Sequence, residues 1–161
     1  MSVDGTDFRT VDWKPFDPAR WSHKFNAAGL RYEVCVAVAT GWIVSLRGLY
    51  LCGSWPDLRI AEQWLHKVLP RGEYYIVDAG YRCQHGPAVL HNDMPPHEWR
   101  KHAIIRARHE NINGWFKEWR ILTTVYRHEE SIHGAVVATI AIITQLELQF
   151  GLRPIHQIRT L

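Results

Sequence analysis

Three acidic residues, Asp4, Asp78 and Glu110, are placed where their side chains could share a metal site. Asp4 lies in a short N-terminal strand-like stretch, Asp78 directly follows the apolar run 74–77, and Glu110 lies midway along a basic helical stretch. Three convergent carboxylates cannot all stay ionised without a compensating cation. Mg²⁺ is a hard cation that prefers oxygen ligands, and Mn²⁺ is its expected substitute. Two such ions about 3.5–4 Å apart would suit phosphodiester chemistry, because they activate a water or a 3′-hydroxyl and stabilise the leaving oxygen.

Asp78 has two interpretations that the sequence alone leaves open. Aspartate is common where a strand ends, because its side chain bonds the backbone of the following turn. On that interpretation Asp78 only starts the turn at Ala79 and Gly80. If other carboxylates meet it, Asp78 is instead a metal ligand at the rim of a sheet.

Glu110 is expected on the polar side of a long helix over residues 98–119. The opposite side carries an apolar stripe that consists of Ile105, Ile112, Phe116 and Trp119. Arg106 and Lys117 share the polar side with Glu110. The alternative to a metal-site role is an ion pair of Glu110 with Arg106, four residues away, worth only a few tenths of a kcal/mol.

This helix also carries a local excess of positive charge, although the net charge of the chain is only +3. Its basic residues are Arg100, Lys101, Arg106, Arg108, Lys117 and Arg120. Such a patch suits a phosphate-bearing partner and equally resembles an ordinary solvated helix face. Arg106, Arg108 and Lys117 are the candidates for contact with a DNA backbone.

The order of elements predicts a mixed α/β domain of ribonuclease-H-like type, a mixed sheet flanked by helices. Three strands come first, then a helix, a further strand and two long helices. The predicted elements are a strand near Met1, a hairpin of residues 32–40 and 42–50, a helix over 58–69, a strand over 74–77, and helices over 98–119 and 131–150. Residues 11–31 and 82–97 are expected to be loops. No G-x-G-x-x-G follows a strand, which disfavours a dinucleotide-binding fold.

Composition indicates a single globular domain spanning residues 1–161. Hydrophobic residues make up 47% of the chain, enough for a substantial core. Three separated cysteines, Cys35, Cys52 and Cys83, favour a reducing compartment over a disulfide framework. The polar N-terminus is unlike a signal peptide, and the most apolar run, 134–143, is short of the roughly 20 residues that a membrane span needs. An intracellular protein without a membrane partner is expected.

Several sequence blocks in order resemble the DDE endonuclease domain of PIF/Harbinger-type transposases. They are VDGTDFR, FDPARWSHKFNAAGLRYEV, TGWIVSLRGLYLCGSWPDLRIA, YYIVDAGYR, RARHENINGWFKEWRIL and YRHEESIHGAVVATIAIITQL. The resemblance covers nearly the whole chain. It implies a ribonuclease-H-like fold, a divalent metal, DNA as partner, cleavage and transfer of DNA strands, and a nuclear location.

Carried over by position, the resemblance implies that Asp4, Asp78 and Glu110 are the catalytic, metal-holding acids. Asp57, in the block SWPD, also matches a characteristic family aspartate. It is either an auxiliary residue of the site or the N-cap of the helix that follows it. Asp7 should face the other side of its strand and is expected to be structural.

The segment HEESIH resembles a zinc-protease motif only superficially. His128 and His133 are five residues apart rather than four, so they would not share a helix face. A role in packing or hydrogen bonding ahead of the last helix is expected.

Family transposases usually carry a helical DNA-binding region before the catalytic domain, whereas only three residues precede Asp4 here. The chain is therefore expected to lack that region and to be clipped near its first strand, so that a separate DNA-binding protein or a homo-oligomer would complete it. Two functions remain open: a metal-dependent endonuclease or transposase domain, and a domesticated or truncated, catalytically silent remnant that binds DNA or protein.

Overall fold

The computed structural model describes residues 1–12, 14–82, 86–90 and 93–154. The strands are β1 (Ser2–Arg9), β2 (Trp21–Ser22), β3 (Ala27–Val36), β4 (Ile43–Leu51), β5 (Tyr75–Val77) and β6 (Ala88–Leu90). The helices are α1 (Asp57–Gln63), α2 (Leu65–Val68), α3 (Trp99–Phe116), α4 (Arg120–Thr123) and α5 (Glu130–Gln149). Short 3₁₀ turns cover Pro18–Arg20, Ala79–Tyr81 and Pro96–Glu98.

The six strands form one mixed sheet with β1 in its interior. The order along the sheet is β2-β3-β1-β5-β6, and β4 pairs with β3. Strand β3 pairs antiparallel with β1, β2 and β4, whereas β5 lies parallel to β1 and β6 lies parallel to β5. The prediction of a mixed α/β sheet flanked by helices is confirmed at this level.

Both faces of the sheet are covered, because apolar side chains alternate along β3 and point to both sides. On one face α3 and α5 pack on a core that includes Phe8, Leu30, Tyr32, Val34, Ile112, Phe116, Val137 and Ile140. On the other face α1 and α2 pack on a core that includes Val3, Cys35, Ala61, Leu65, Tyr75, Val77, Tyr81 and Leu90. Asp4 on β1 therefore lies in a part of the sheet that is covered on both faces.

The last helix buries a histidine rather than presenting it as a metal ligand. His133 at the start of α5 is fully buried, and its Nδ1 lies 2.7 Å from the hydroxyl of Tyr32. The ring of Tyr126 packs edge-on against it at 4.5 Å between centroids. The expected packing and hydrogen-bonding role is confirmed for His133, while His128 is exposed and contacts the Tyr126 ring.

Several predicted boundaries are wrong. The expected loop over residues 11–31 contains β2 and the start of β3, and the loop over 82–97 contains β6. The predicted helix over 58–69 is broken at Trp64, whose backbone has φ −136° and separates α1 from α2. The predicted hairpin is present as β3 and β4. Short strands with few alternating positions give too weak a periodic signal to be distinguished from loop.

Helix α5 is long and apolar enough, by length and composition alone, to cross a membrane. Only a third of the qualifying stretch is buried within the fold. The buried side chains lie on one stripe, which includes Val137, Ile140, Ala141, Thr144 and Leu148. A core helix with one packed face meets the same criteria.

Cys35 and Cys52 are buried free thiols. Burial raises the pKa of each thiol to about 12, so neither is a reactive thiolate. The third cysteine, Cys83, lies outside the described residues.

Candidate metal site

The parallel pairing of β1 and β5 brings two of the predicted acids to the same rim of the sheet. Ser2 is in register with Ile76. Two residues further along each strand come Asp4 and Asp78. Because side chains alternate with a period of two, Asp4 and Asp78 stand on the face that Ser2 and Ile76 share.

Helix α3 crosses that face and is joined to β1 by two polar contacts. Ser2 Oγ lies 2.9 Å from His109 Nδ1, and Asn113 Nδ2 donates to Asp4 Oδ2 at 2.9 Å. His109 and Asn113 are four residues apart and therefore share one stripe of the helix. Glu110 directly follows His109 and is exposed at the edge of this stripe.

The three acids line one concavity of about 40 Å³. Its lining residues are Ser2, Val3, Asp4, Ile76, Val77, Asp78, Arg106, His109 and Glu110. One water molecule needs roughly 10–15 Å³, so the space suits a few waters or small ions. Strand β1, the end of strand β5 and helix α3 thus each contribute one carboxylate to the same concavity, as the sequence predicts.

Electrostatics support the proximity of the three carboxylates. The pKa of Asp4 is raised to about 6, chiefly by burial and in smaller part by the charges of Asp78 and Glu110, against the lowering effects of Lys24 and of the Gly5 backbone N–H. Groups that shift one another in this way are close enough to repel. A cation placed among them would lower the free energy of their ionised forms.

Lys24 supplies a positive charge next to this site from the turn between β2 and β3. Its ammonium group donates a 2.9 Å hydrogen bond to the carbonyl of Gly5, the residue after Asp4. The Lys24 charge lowers the pKa of Asp4 and of Asp57. The chain therefore carries its own counter-cation beside the acids.

The donor types fit a hard divalent cation, since Mg²⁺ and Mn²⁺ bind carboxylate oxygens. The side chains are nevertheless occupied by protein donors: Asp4 Oδ1 accepts from Gly5 N–H, and Asp78 Oδ1 accepts from Gly80 N–H, both at 2.8 Å. Within residues 1–12, 14–82, 86–90 and 93–154, no group of three or more His, Cys, Asp or Glu side chains is arranged to hold a metal ion. A bound cation would therefore need these carboxylates to turn toward it.

Asp78 starts a turn, and its position also remains compatible with the ligand interpretation. Its Oδ1 caps the 3₁₀ turn Ala79–Tyr81, so it does start the turn. It also lines the same concavity as Asp4 and Glu110. The turn interpretation and the ligand interpretation are therefore compatible.

Asp57 is not an N-cap. It is the first residue of α1 and follows Pro56, which holds the cap position without a side-chain hydrogen bond. Asp57 Oδ1 instead lies 3.2 Å from the guanidinium of Arg31. A Cβ added to Gly80 would be 2.9 Å from Asp57 Oδ2, so Asp57 lies directly against the turn that carries Asp78.

Burial raises the pKa of Asp57, while the charges of Arg31 and Lys24 lower it and that of Asp78 raises it. Asp57 thus belongs to the electrostatic surroundings of the acid site. Arg31 also forms a two-pronged ion pair with Asp7, with contacts of 2.7 and 3.0 Å. Burial favours the neutral form of Asp7, yet the bonds from Arg31 and Ser22 lower its pKa, so the expected structural role of Asp7 is supported.

The three candidate DNA contacts separate in the structure. Arg106 lines the acid concavity, and Lys117 is exposed at the end of α3. Arg108 is only 2% exposed and donates to the carbonyl of Val38 at 2.7 Å. The prediction for Arg108 is therefore wrong, because this guanidinium is used to join α3 to the connection between β3 and β4.

Two residues of the site were not predicted as members. Asn113 follows Glu110 by three residues on the same helix, and this spacing is the signal that it could reach the same strand. Lys24 lies in the segment predicted as loop, where nothing local indicates its contact with Gly5. A further buried acid, Glu33, lies near Asp57, and burial together with the Asp57 charge raises its pKa to about 7.

No protein-family model, no curated protein and no solved structure matches this chain. The functional assignment therefore depends on the residues and on their geometry.

Proposed function

We propose that this chain is the catalytic domain of a DNA transposase, a divalent-metal-dependent DNA endonuclease and strand transferase. The observation that carries the proposal is the shared concavity of Asp4, Asp78 and Glu110, three acids from three separate elements. The residue types and their placement in the sequence predict the same three acids. The resemblance to PIF/Harbinger-type DDE domains points to the same residues.

The sheet topology also supports the proposal. Three antiparallel strands, β4, β3 and β1, are followed across the sheet by the parallel strands β5 and β6. This is the order that a ribonuclease-H-like sheet would have, with the first strand in the interior and the acid-bearing strand β5 beside it. We therefore propose the ribonuclease-H-like fold as part of the same assignment.

In this proposal Asp4, Asp78 and Glu110 hold Mg²⁺ or Mn²⁺. When bound, two such ions supply activation of the attacking hydroxyl and stabilisation of the leaving oxygen. The residues of the chain position these acids: Asn113 orients Asp4, and the turn after β5 fixes Asp78. Lys24 offsets part of the negative charge at the rim, whereas the charge of Arg31 is shared by Asp57 and Asp7.

DNA is the proposed substrate and partner, and the nucleus is the proposed location. Arg106 in the concavity and Lys117 at the end of α3 are the proposed backbone contacts. Phosphate contacts carry no sequence information, so binding by this chain should be salt-sensitive and tolerant of sequence. Recognition of a specific target is assigned to a separate DNA-binding protein or to a homo-oligomer.

The test is nicking of supercoiled plasmid DNA in Mg²⁺ or Mn²⁺. The proposal expects metal-dependent conversion to open circles by the wild-type protein and its loss in Asp78→Asn, Asp4→Asn and Glu110→Gln. The matched control is Asp17→Asn, because Asp17 also caps a 3₁₀ turn with its side chain but lies outside the acid concavity. Equal nicking by all four variants would attribute the activity to a contaminant and would reject the proposal.

A second function is favoured by one observation. Both oxygens of Asp4 accept hydrogen bonds from Gly5 and Asn113, which is what a carboxylate with a purely structural role would do. On this alternative the chain is a catalytically silent remnant that binds DNA or protein. It predicts DNA or protein binding that is unaffected by Mg²⁺ and by Asp78→Asn, with no nicking under any metal.

A further inference from the structure

A second concavity, of about 600 Å³, lies away from the acids and is rich in arginine. Its lining residues are Arg9, Arg120, Ile121, Thr123, Thr124, Val125, Tyr126, Arg127 and His128. Arg9, Arg120, Arg127 and His128 are exposed. Three guanidinium groups around one depression form a strongly positive surface.

The arginines here are available for a ligand. Among the residues that the structure describes, no acid lines this concavity, and no ion pair involves Arg9, Arg120 or Arg127. By contrast, Arg20 is neutralised by Glu130, and Arg153 by Glu118. A planar guanidinium with several donors is well suited to phosphate oxygens.

The concavity is held in place by backbone pairing at the end of β1. The N–H of Tyr126 donates to the carbonyl of Arg9 at 2.9 Å, and Tyr126 also bridges to Thr10. Tyr126 is only 4% exposed, so this junction is part of the core. The hydroxyls of Thr123 and Thr124 both bond the carbonyl of Arg120, which closes α4. These hydrogen bonds therefore hold the backbone from which the arginine side chains extend.

Strand β1 carries both Asp4 and Arg9, and helix α3 carries Glu110 and ends shortly before Arg120, so the same two elements lead from the acid site to the basic concavity. Helix α3 runs alongside β1, since His109 contacts Ser2 and Asn113 contacts Asp4 further along both elements. From Glu110 to Lys117 is seven residues, about two turns and about 10 Å on the same helix face. From Asp4 to Arg9 is five strand residues, about 17 Å.

We propose that the concavity of Arg9, Arg120 and Arg127 is a binding site for the phosphodiester backbone of DNA. The inference rests on the proposed function in one respect, that the same DNA also enters the acid site. Successive phosphates of one strand are about 3.4 Å apart along the duplex axis, so 17 Å corresponds to about five nucleotides. DNA bound at the acid site would pass Lys117. The three arginines would then bind its backbone about five nucleotides away from that site.

The experiment measures binding of a fluorescent 24-base-pair duplex by anisotropy in EDTA, at several salt concentrations. The variants are Arg9→Gln, Arg120→Gln and Arg127→Gln, all at exposed positions. The control is Arg71→Gln, which removes an exposed arginine from the turn before β5. The proposal expects each of the three variants to bind several-fold more weakly, with the slope of log K against log salt reduced by about 0.9, and the control to bind like the wild type.

Three results would overturn the proposal. One is wild-type affinity in the three variants, and another is an equal loss in Arg71→Gln, which would report only net charge. The third is evidence for a site that binds free phosphate alone. In that case inorganic phosphate raises the melting temperature of the wild type but not of the variants, and duplex binding is the same in all of them. Because EDTA removes metal, the outcome is separate from catalysis. Arginine-dependent binding without any metal-dependent nicking would reject the proposed function and leave this site standing.

Discussion

Asn113 on α3 donates a hydrogen bond to the carboxylate of Asp4 on β1, with 2.9 Å between Nδ2 and Oδ2. This contact crosses 109 residues of sequence and joins the helix that carries Glu110 to the strand that carries Asp4. Asn113 is 5% exposed, so the amide has little access to water. One buried amide thus helps to fix the relative position of two of the three acids, together with the contact between Ser2 and His109.

Replacement of Asn113 by leucine should lower the free energy of unfolding by about 1.5–3 kcal/mol, because a partly buried carboxylate loses its donor. The measurement is urea unfolding in EDTA, with Asn111→Leu on the exposed side of the same helix as control. Addition of Mg²⁺ should restore part of the loss, since a cation can replace the amide as the partner of Asp4. If Asn113→Leu lowers the free energy of unfolding in EDTA no more than Asn111→Leu does, the assigned role of Asn113 is contradicted.

Two glycines should respond to alanine with opposite signs. A Cβ on Gly5 would collide with the Asp57 carboxylate, which is held by Arg31, so Gly5→Ala should cost about 1–3 kcal/mol. A Cβ on Gly114 in α3 meets nothing within 4 Å, so Gly114→Ala should stabilise by about 0.5–1 kcal/mol. Chemical denaturation of both variants measures the sign of each change in the free energy of unfolding.

The double variant Gly5→Ala/Asp57→Ser identifies the cause of the Gly5 effect. If the collision with Asp57 is the reason, the two changes together should cost less than their sum. Strict additivity would place the strain elsewhere.

Stability should fall as the pH decreases from about 6.5 to about 4, in part because of His133. Burial lowers the pKa of His133 to about 4, although the nearby Glu130 acts in the opposite direction. In this interval the unfolded chain binds a proton on His133 that the folded chain does not bind. One such proton changes the free energy of unfolding by up to about 1.4 kcal/mol per pH unit.

The comparison of wild type with His133→Gln isolates this contribution, and the exposed His23→Gln is the control. Between pH 4 and 6.5 the His133→Gln variant should show a shallower dependence of unfolding free energy on pH. Tyr32→Phe removes the hydroxyl partner of His133 and keeps the ring, so it should lower stability throughout. An unchanged pH slope in His133→Gln would show that another group titrates.

The relative placement of the three acids could be predicted from the sequence, because this placement depends on simple periodicities. The alternation of side chains and the placement of β5 beside β1 are enough to bring Asp4 and Asp78 to one rim. The helical period then puts Glu110 on the exposed side of α3. These are local rules combined with one topological assumption.

Long-range partners could not be predicted in the same way. Arg108 and Arg106 look equivalent in sequence, yet Arg108 reaches the carbonyl of Val38, 70 residues away, and is buried. In the sequence Asp57 is placed like a helix N-cap, but its carboxylate forms an ion pair with Arg31 on β3. In both cases a guanidinium contact with a distant segment overrides the local pattern.

Calorimetric titration of Mn²⁺ into the wild type and into Asp78→Asn is the most direct test of the acid site. Asparagine can keep the cap of the turn at Gly80 while removing the charge, so the fold should survive. The account predicts saturable binding by the wild type, binding weakened at least tenfold in Asp78→Asn, and wild-type binding in the turn-cap control Asp17→Asn. Equal Mn²⁺ affinity in the wild type and Asp78→Asn, or no binding by either protein, would contradict a metal site at Asp4, Asp78 and Glu110.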